Sequence, residues 1–114
     1  MEQPIEFVIR DTRPDIAESV RQYGIHRLSF ALRRFKHRIR HVTVRLIDLN
    51  GPRRGVDSRC SMIADLSDGR RIVVDATTAW PFASITRAAD RLTEAMRREF
   101  RRSAEHRHKT AGRQ

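Results

Sequence analysis

The sequence predicts a single α+β domain of order β-α-β-β-β-α, with two helices covering one face of a four-stranded, largely antiparallel sheet. Three observations predict it. The chain has 114 residues, enough for one core and too few for two. Four short stretches alternate apolar and polar residues, and two longer ones repeat apolar residues every three or four positions. No internal repeat and no linker interrupts the series.

The first stretch, IEFVIR, sets Ile5, Phe7 and Ile9 against Glu6, Val8 and Arg10, the pattern of a strand with one buried face. In DTRPDIAESV, Thr12 stands three residues before Asp15 in a capping pattern, with Pro14 in the first turn, where its missing N–H costs nothing. A helix is expected from there to about Arg40, carried by Ile16, Val20, Gly24, Leu28, Ala31, Phe35 and Ile39. Gln22, His26, Ser29, Arg33, Lys36, His37 and Arg40 fall on the opposite face, with Tyr23 and Phe30 on the border. Gly24 weakens a helix by ~1 kcal/mol relative to Ala, so either its backbone is closely approached or the helix bends there.

HVTVRLIDL, with Val42, Val44 and Leu46, and RCSMIADLSD, with Cys60, Met62, Ala64 and Leu66, form the second and third strands. Between them lies LNGPRRGVDS. Its Gly51 to Gly55 spacing is wrong for a P-loop, no Lys follows, and a strand comes next, so the phosphate-cradle reading fails. A plain strand connection remains, or one whose Arg53, Arg54 and Arg59 touch RNA phosphates. Ser67 to Gly69 reads SDG, a tight turn leading into RRIVVDA, a fourth strand that sets Ile72, Val74 and Ala76 against Val73 and Asp75.

The last helix begins near Trp80 with Pro81 in its first position and Phe82, Ile85, Ala89, Leu92 and Met96 on its core face. Arg87, Arg91, Glu94, Arg98, Arg101 and Glu105 lie opposite. From residue 103 the apolar period vanishes, so 1–102 is expected to be the folded domain and 103–114 a frayed or disordered basic tail.

Charge points to the partner. Twenty-four Lys and Arg against fourteen Asp and Glu leave a formal +10 and a pI near 11.5, so a polyanion is the natural ligand. All but Lys36 and Lys109 of the basic residues are arginine, the better bidentate phosphate ligand. Between Arg21 and Arg40 seven basic residues meet no acid: Arg21, Arg27, Arg33, Arg34, Lys36, Arg38 and Arg40. That one-sidedness favours RNA over a merely solvated face. No apolar run approaches the ~18 residues of a membrane span. A lone Cys60 excludes an internal disulfide, and MEQPIEF lacks the features of a signal peptide, so a cytoplasmic protein is expected. Cys60 alternates with core positions and reads as a buried thiol, Trp80 and Phe82 as anchors of the helix start rather than base-stacking rings. His106 and His108 lack the partners of a metal site, and no paired carboxylates, nucleophile motif or cofactor motif is present, so neither an enzyme nor a cofactor nor a small-molecule substrate is expected.

The helix-one end Phe35-x-x-x-Ile39, the strand VTVRL, the hairpin arm DGRRIVVDAT and FASITRAADRL at the last helix, in this element order, resemble the ribosome hibernation-promoting factor and ribosome-associated inhibitor family, once called sigma-54 modulation proteins. The likeness covers residues 5 to about 102. It implies a double-stranded-RNA-binding-domain-like fold and a small cytosolic protein that docks under stress on the small ribosomal subunit and its rRNA. There it would cover the mRNA channel and tRNA sites between head and body, silencing translation, with a second hibernation factor as a further candidate partner. The family's RNA-facing basic positions match Arg27, Arg91, Arg98 and Arg102. The helical-face reading adds Arg33, Arg34, Arg38 and Arg87, and the loop adds Arg53 and Arg54.

Three departures accompany the resemblance. Trp80-Pro81-Phe82 replaces the usual Asp-Met-Tyr and loses an Asp N-cap, Glu94 stands where relatives often carry Arg, and the 114 residues leave no room for the C-terminal dimerisation domain of the longer members, so the short type is expected. The competing reading is a general double-stranded or structured RNA-binding module. It shares the α-β-β-β-α part of the order, but the Lys-Lys-x-Ala-Lys cluster of those domains is missing from the last helix.

Overall fold

Strand alternation becomes three rows of side chains across one sheet. The computed structural model describes residues 5–10, 14–49 and 57–111. It contains strands β1 (Ile5–Arg10), β2 (Ile39–Asp48), β3 (Ser58–Leu66) and β4 (Arg71–Thr78), and helices α1 (Pro14–Ala31) and α2 (Pro81–Ala111). The strands lie in the order β1-β2-β3-β4, with β1 parallel to β2 and the other two pairs antiparallel. Register aligns Ile5-Val42-Ala64-Ile72, Phe7-Val44-Met62-Val74 and Ile9-Leu46-Cys60-Ala76 on one face. The expected α+β fold, element order and inward-facing strand residues are all present.

The parallel β1–β2 pair requires a crossover, and α1 supplies it. Val20, Gly24 and Leu28 form its buried row. A methyl built on Gly24 would lie 2.5 and 2.7 Å from ring atoms of Phe7, so close approach of β1 to the helix, rather than a bend, explains the glycine.

The expected extent of this helix needs correction. The α-helix ends at Ala31, and a 3₁₀ segment, Arg33–Arg38, leads into β2 two residues earlier than expected. Leu32 leaves helical geometry (φ −98°, ψ 6°), and the Phe35 N–H turns back to the Leu32 carbonyl at 2.9 Å. In a 3₁₀ turn residues i and i+3 eclipse. Phe35 and Arg38 therefore face the same way, onto Phe100 of α2: the two rings are 5.3 Å apart, and the Arg38 guanidinium carbon lies 4.7 Å from the Phe100 centroid. Phe35 and Ile39 still pack on the core, so their four-residue spacing resembled helix although the backbone is not.

At the other end of β2 the Leu49 N–H bonds the Asp57 carbonyl at 2.7 Å and closes the base of the connection. Thr12, Arg53 and Arg54, with the glycines of that loop, lie outside the described residues. The expected turn between β3 and β4 is present, with Gly69 at φ +93°. Asp68 accepts the Arg70 N–H at 3.0 Å, which holds its carboxyl below the usual range. Ser67 ties this turn to the 3₁₀ segment through its N–H to the Arg38 carbonyl and its hydroxyl to the His37 carbonyl.

Helix α2 covers β3 and β4 with Ser84, Ile85, Ala88, Ala89, Leu92 and Met96. Hydroxyls hold the turn that leads into the helix. Thr78 Oγ1 accepts the Trp80 N–H at 3.2 Å, Ser84 N–H reaches the Trp80 carbonyl at 3.0 Å, and Ser84 Oγ donates to the Ser58 carbonyl at 2.6 Å. The segment expected to be a disordered tail is helical as far as Ala111. Residues 103–111 contain no Gly or Pro, and an established helix propagates through Ala, Glu, Arg and Lys without needing an apolar stripe. At ~1.5 Å per residue the 31 residues of α2 span about 46 Å. Among the described residues no helix is long and apolar enough to cross a membrane.

Candidate nucleic-acid interface

The two helices lie side by side and are fastened in three places. Tyr23 and Thr86 share a hydroxyl–hydroxyl bond of 2.5 Å, the Tyr23 ring meets Phe82 edge-on at 5.4 Å, and Arg27 Nη2 bonds Asp90 Oδ1 at 3.1 Å. Above these fastenings runs a groove. One half is bounded by Tyr23, Trp80, Phe82 and Arg87, the other by Phe30, Arg33, Arg34 and Arg97, and Asp90 borders both.

The arginines expected to bind RNA divide by what they already touch. Arg34, Arg87 and Arg98 are exposed and meet no carboxylate among the described residues. Arg33 lies 5.3 Å over the exposed Phe30 ring, and Arg38 covers Phe100. Arg27 is bridged to Asp90, while Arg102 is 3.9 Å from Glu99, which also pairs with Arg70. Arg91 donates from Nη1 to the Asp75 backbone carbonyl at 2.6 Å and so reaches over the β4 edge instead of the groove.

Two charge readings change with the geometry. Arg21, counted among the seven basic residues without an acid, bonds Glu18 one turn earlier at 3.1 Å, and these hydrogen bonds hold the Glu18 carboxyl below its usual range. Arg59 belongs to β3, not to a loop, and lies on the uncovered sheet face paired with Asp75 at 3.1 Å. It therefore cannot share one flat contact with the helices.

Sequence periodicity missed three residues of the groove. Arg97 follows Thr86, Asp90 and Thr93 in four- and three-residue steps, a polar stripe beside the apolar one that could have revealed it. Phe30 is 69 % exposed and Trp80 56 %, so Trp80 is not the core anchor expected; Phe82, half-buried against the core, fills that role. Glu94 pairs with Arg97 at 3.4 Å and offsets part of the charge.

Cys60 is fully buried, and burial pushes its thiol up to about 12, which makes it a core residue as expected. Among the described residues no cluster of His, Cys, Asp or Glu could hold a metal ion.

This arrangement of helices on a mixed sheet recurs in solved structures. The N-terminal domain of Thermus thermophilus Protein Y superposes with a TM-score of 0.65 at 24% identity, over 86% of this chain and 98% of that one. The chain has the fold of that domain. A ribosomal subunit interface protein from Coxiella burnetii shares that fold, with a TM-score of 0.67 at 11% identity over 85% of this chain and 97% of its own. No family model and no curated protein matches the sequence. Both α-helices lie on the same side of the sheet and pack against each other there.

Proposed function

We propose that the chain is a ribosome hibernation factor whose domain, residues 1–102, binds rRNA of the small subunit through the α1–α2 face, covers the mRNA and tRNA sites and silences translation under stress. It works by binding and not by turnover, in the cytoplasm. The observation that carries this reading is the exposed set Arg34, Arg87 and Arg98, which meet no carboxylate among the described residues, on a fold shared with a ribosomal subunit interface protein. Arginines without an internal partner give up no protein ion pair when they meet phosphate. Arg27 and Arg91 must first leave Asp90 and the Asp75 carbonyl, so they contribute less.

Co-sedimentation with isolated small subunits across a salt series, with an RNA duplex as competitor, tests the reading. The wild type should bind stoichiometrically and resist the duplex. The triple variant Arg34→Glu, Arg87→Glu, Arg98→Glu should lose binding at physiological salt, and every phosphate it no longer neutralises should flatten the log–log salt slope by about 0.7 to 0.9. Inhibition of in vitro translation by the wild type alone would complete the case. Equal competition by the duplex, or binding insensitive to the triple variant, would instead identify a general RNA-binding module.

A further inference from the structure

Among the described residues four large apolar side chains are prominently exposed: Phe30, Leu49, Val73 and Trp80. The two aromatic ones both open onto the interhelical groove, one in each half. Each half also holds an arginine: Arg87 borders the half with Trp80, and Arg33 lies over Phe30.

Trp80 is held in place although it is not buried. Its backbone N–H and carbonyl are clasped by the Thr78 hydroxyl at 3.2 and 2.7 Å, Pro81 follows, and its ring tilts against Phe82 at 5.5 Å. An exposed indole held in this way loses little freedom on accepting a flat ligand.

We propose that the groove between α1 and α2 is a track for single-stranded RNA, with one unpaired base stacked on Trp80 and another on Phe30. The proposal rests on the rRNA-binding reading and sharpens it from RNA in general to unpaired RNA. Duplex bases hide their faces in their own stack, so only unpaired bases can use these rings. The phosphates between them lie along Arg87, Arg34 and Arg97. Trp80 and Phe30 then provide sequence-tolerant stacking while the guanidiniums track the backbone. From Phe82 to Arg97, fifteen helical steps of ~1.5 Å give a track of about 22 Å, long enough for several nucleotides.

Trp80 is the single tryptophan of the chain, so its fluorescence reports the site directly. The protein is titrated with an unstructured pyrimidine oligoribonucleotide, with the same oligonucleotide made abasic, and with an RNA duplex. Quenching is expected with the first and not with the other two at matched charge. Trp80→Ala and Phe30→Ala should each weaken the single strand about tenfold and leave duplex affinity unchanged, and Trp80→Phe should restore part of the loss. The backbone bonds of residue 80 survive its replacement, and an unchanged thermal melt verifies the fold. Equal quenching by the abasic strand or the duplex, or unchanged affinity in Trp80→Ala, overturns the proposal. Small subunits that still co-sediment after such a result would leave the ribosomal reading standing, and their failure to do so would remove both.

Discussion

At the scale of single residues, Cys60 shows how position overrides chemistry. It sits in the row Ile9-Leu46-Cys60-Ala76 beneath the helices, where a thiolate has no solvent and no cation to stabilise it. In the unfolded chain the thiol ionises near its ordinary value, while in the folded protein it keeps its proton to about pH 12. The folded state therefore binds more protons between these values, and stability falls as pH rises through that window. Denaturation midpoints should be insensitive to Cys60 below pH 8 and decline above 9, with the extra decline absent in Cys60→Ala. Alkylation in native buffer should be negligible until denaturant is added. Burial of Cys60 was legible in the sequence because strand alternation fixes a face. The cause of Gly24 was not: only the strand that crosses beneath it, through Phe7, separates a close approach from a bend. Trp80 was misjudged for the same reason, since apolar character reveals a preference for burial and not whether a neighbour arrives to provide it.

The instructive element is the 3₁₀ segment. Phe35 and Ile39 keep a spacing of four, so periodicity alone extends α1 to Arg40. In the fold the two residues reach the core by different routes, one from a 3₁₀ turn and one from a strand. What selects the tighter turn is the partner: Phe100, sixty-five positions later in the sequence, accepts both Phe35 and Arg38. No local reading contains that pairing. Removing it by Phe100→Ala should cost about 2 kcal/mol, below the range for fully buried aromatics because the ring is only half-buried. The loss should be local. Amide hydrogen exchange across residues 33–38 should accelerate while the β2–β3 ladder stays protected, and uniform acceleration of both would show that the clamp is part of the global unfolding unit. The strands, by contrast, were legible to within two residues, because each has one buried face.

For the whole molecule the net charge of +10 forecast a polyanion partner, but the pairing of each arginine decides how much of that charge is available. Asp90 is the acid common to both halves of the groove, and Arg27 is committed to it. Their bridge lies in solvent, with the Asp90 side chain 67% exposed, so screening leaves it about 0–1 kcal/mol of stability. Its effect on a bound polyanion is larger in consequence, because Asp90→Asn removes a repulsive charge and releases a guanidinium at the same point. The Tyr23–Thr86 bond and the Tyr23–Phe82 contact still join the helices, so the fold should survive. The variant should melt within a few degrees of the wild type, bind RNA more tightly at low salt, and show a log–log salt slope steeper by about 0.7, the increment of one added single-strand phosphate contact. Tighter binding without a steeper slope would mean that only the repulsion had been removed and that Arg27 contacts no phosphate. Unchanged binding would place the RNA away from the centre of the groove. An acid in the middle of a basic track thus sets a limit on affinity that sequence counting reads as a flaw and the geometry reads as a bridge between the helices, held at little cost in stability.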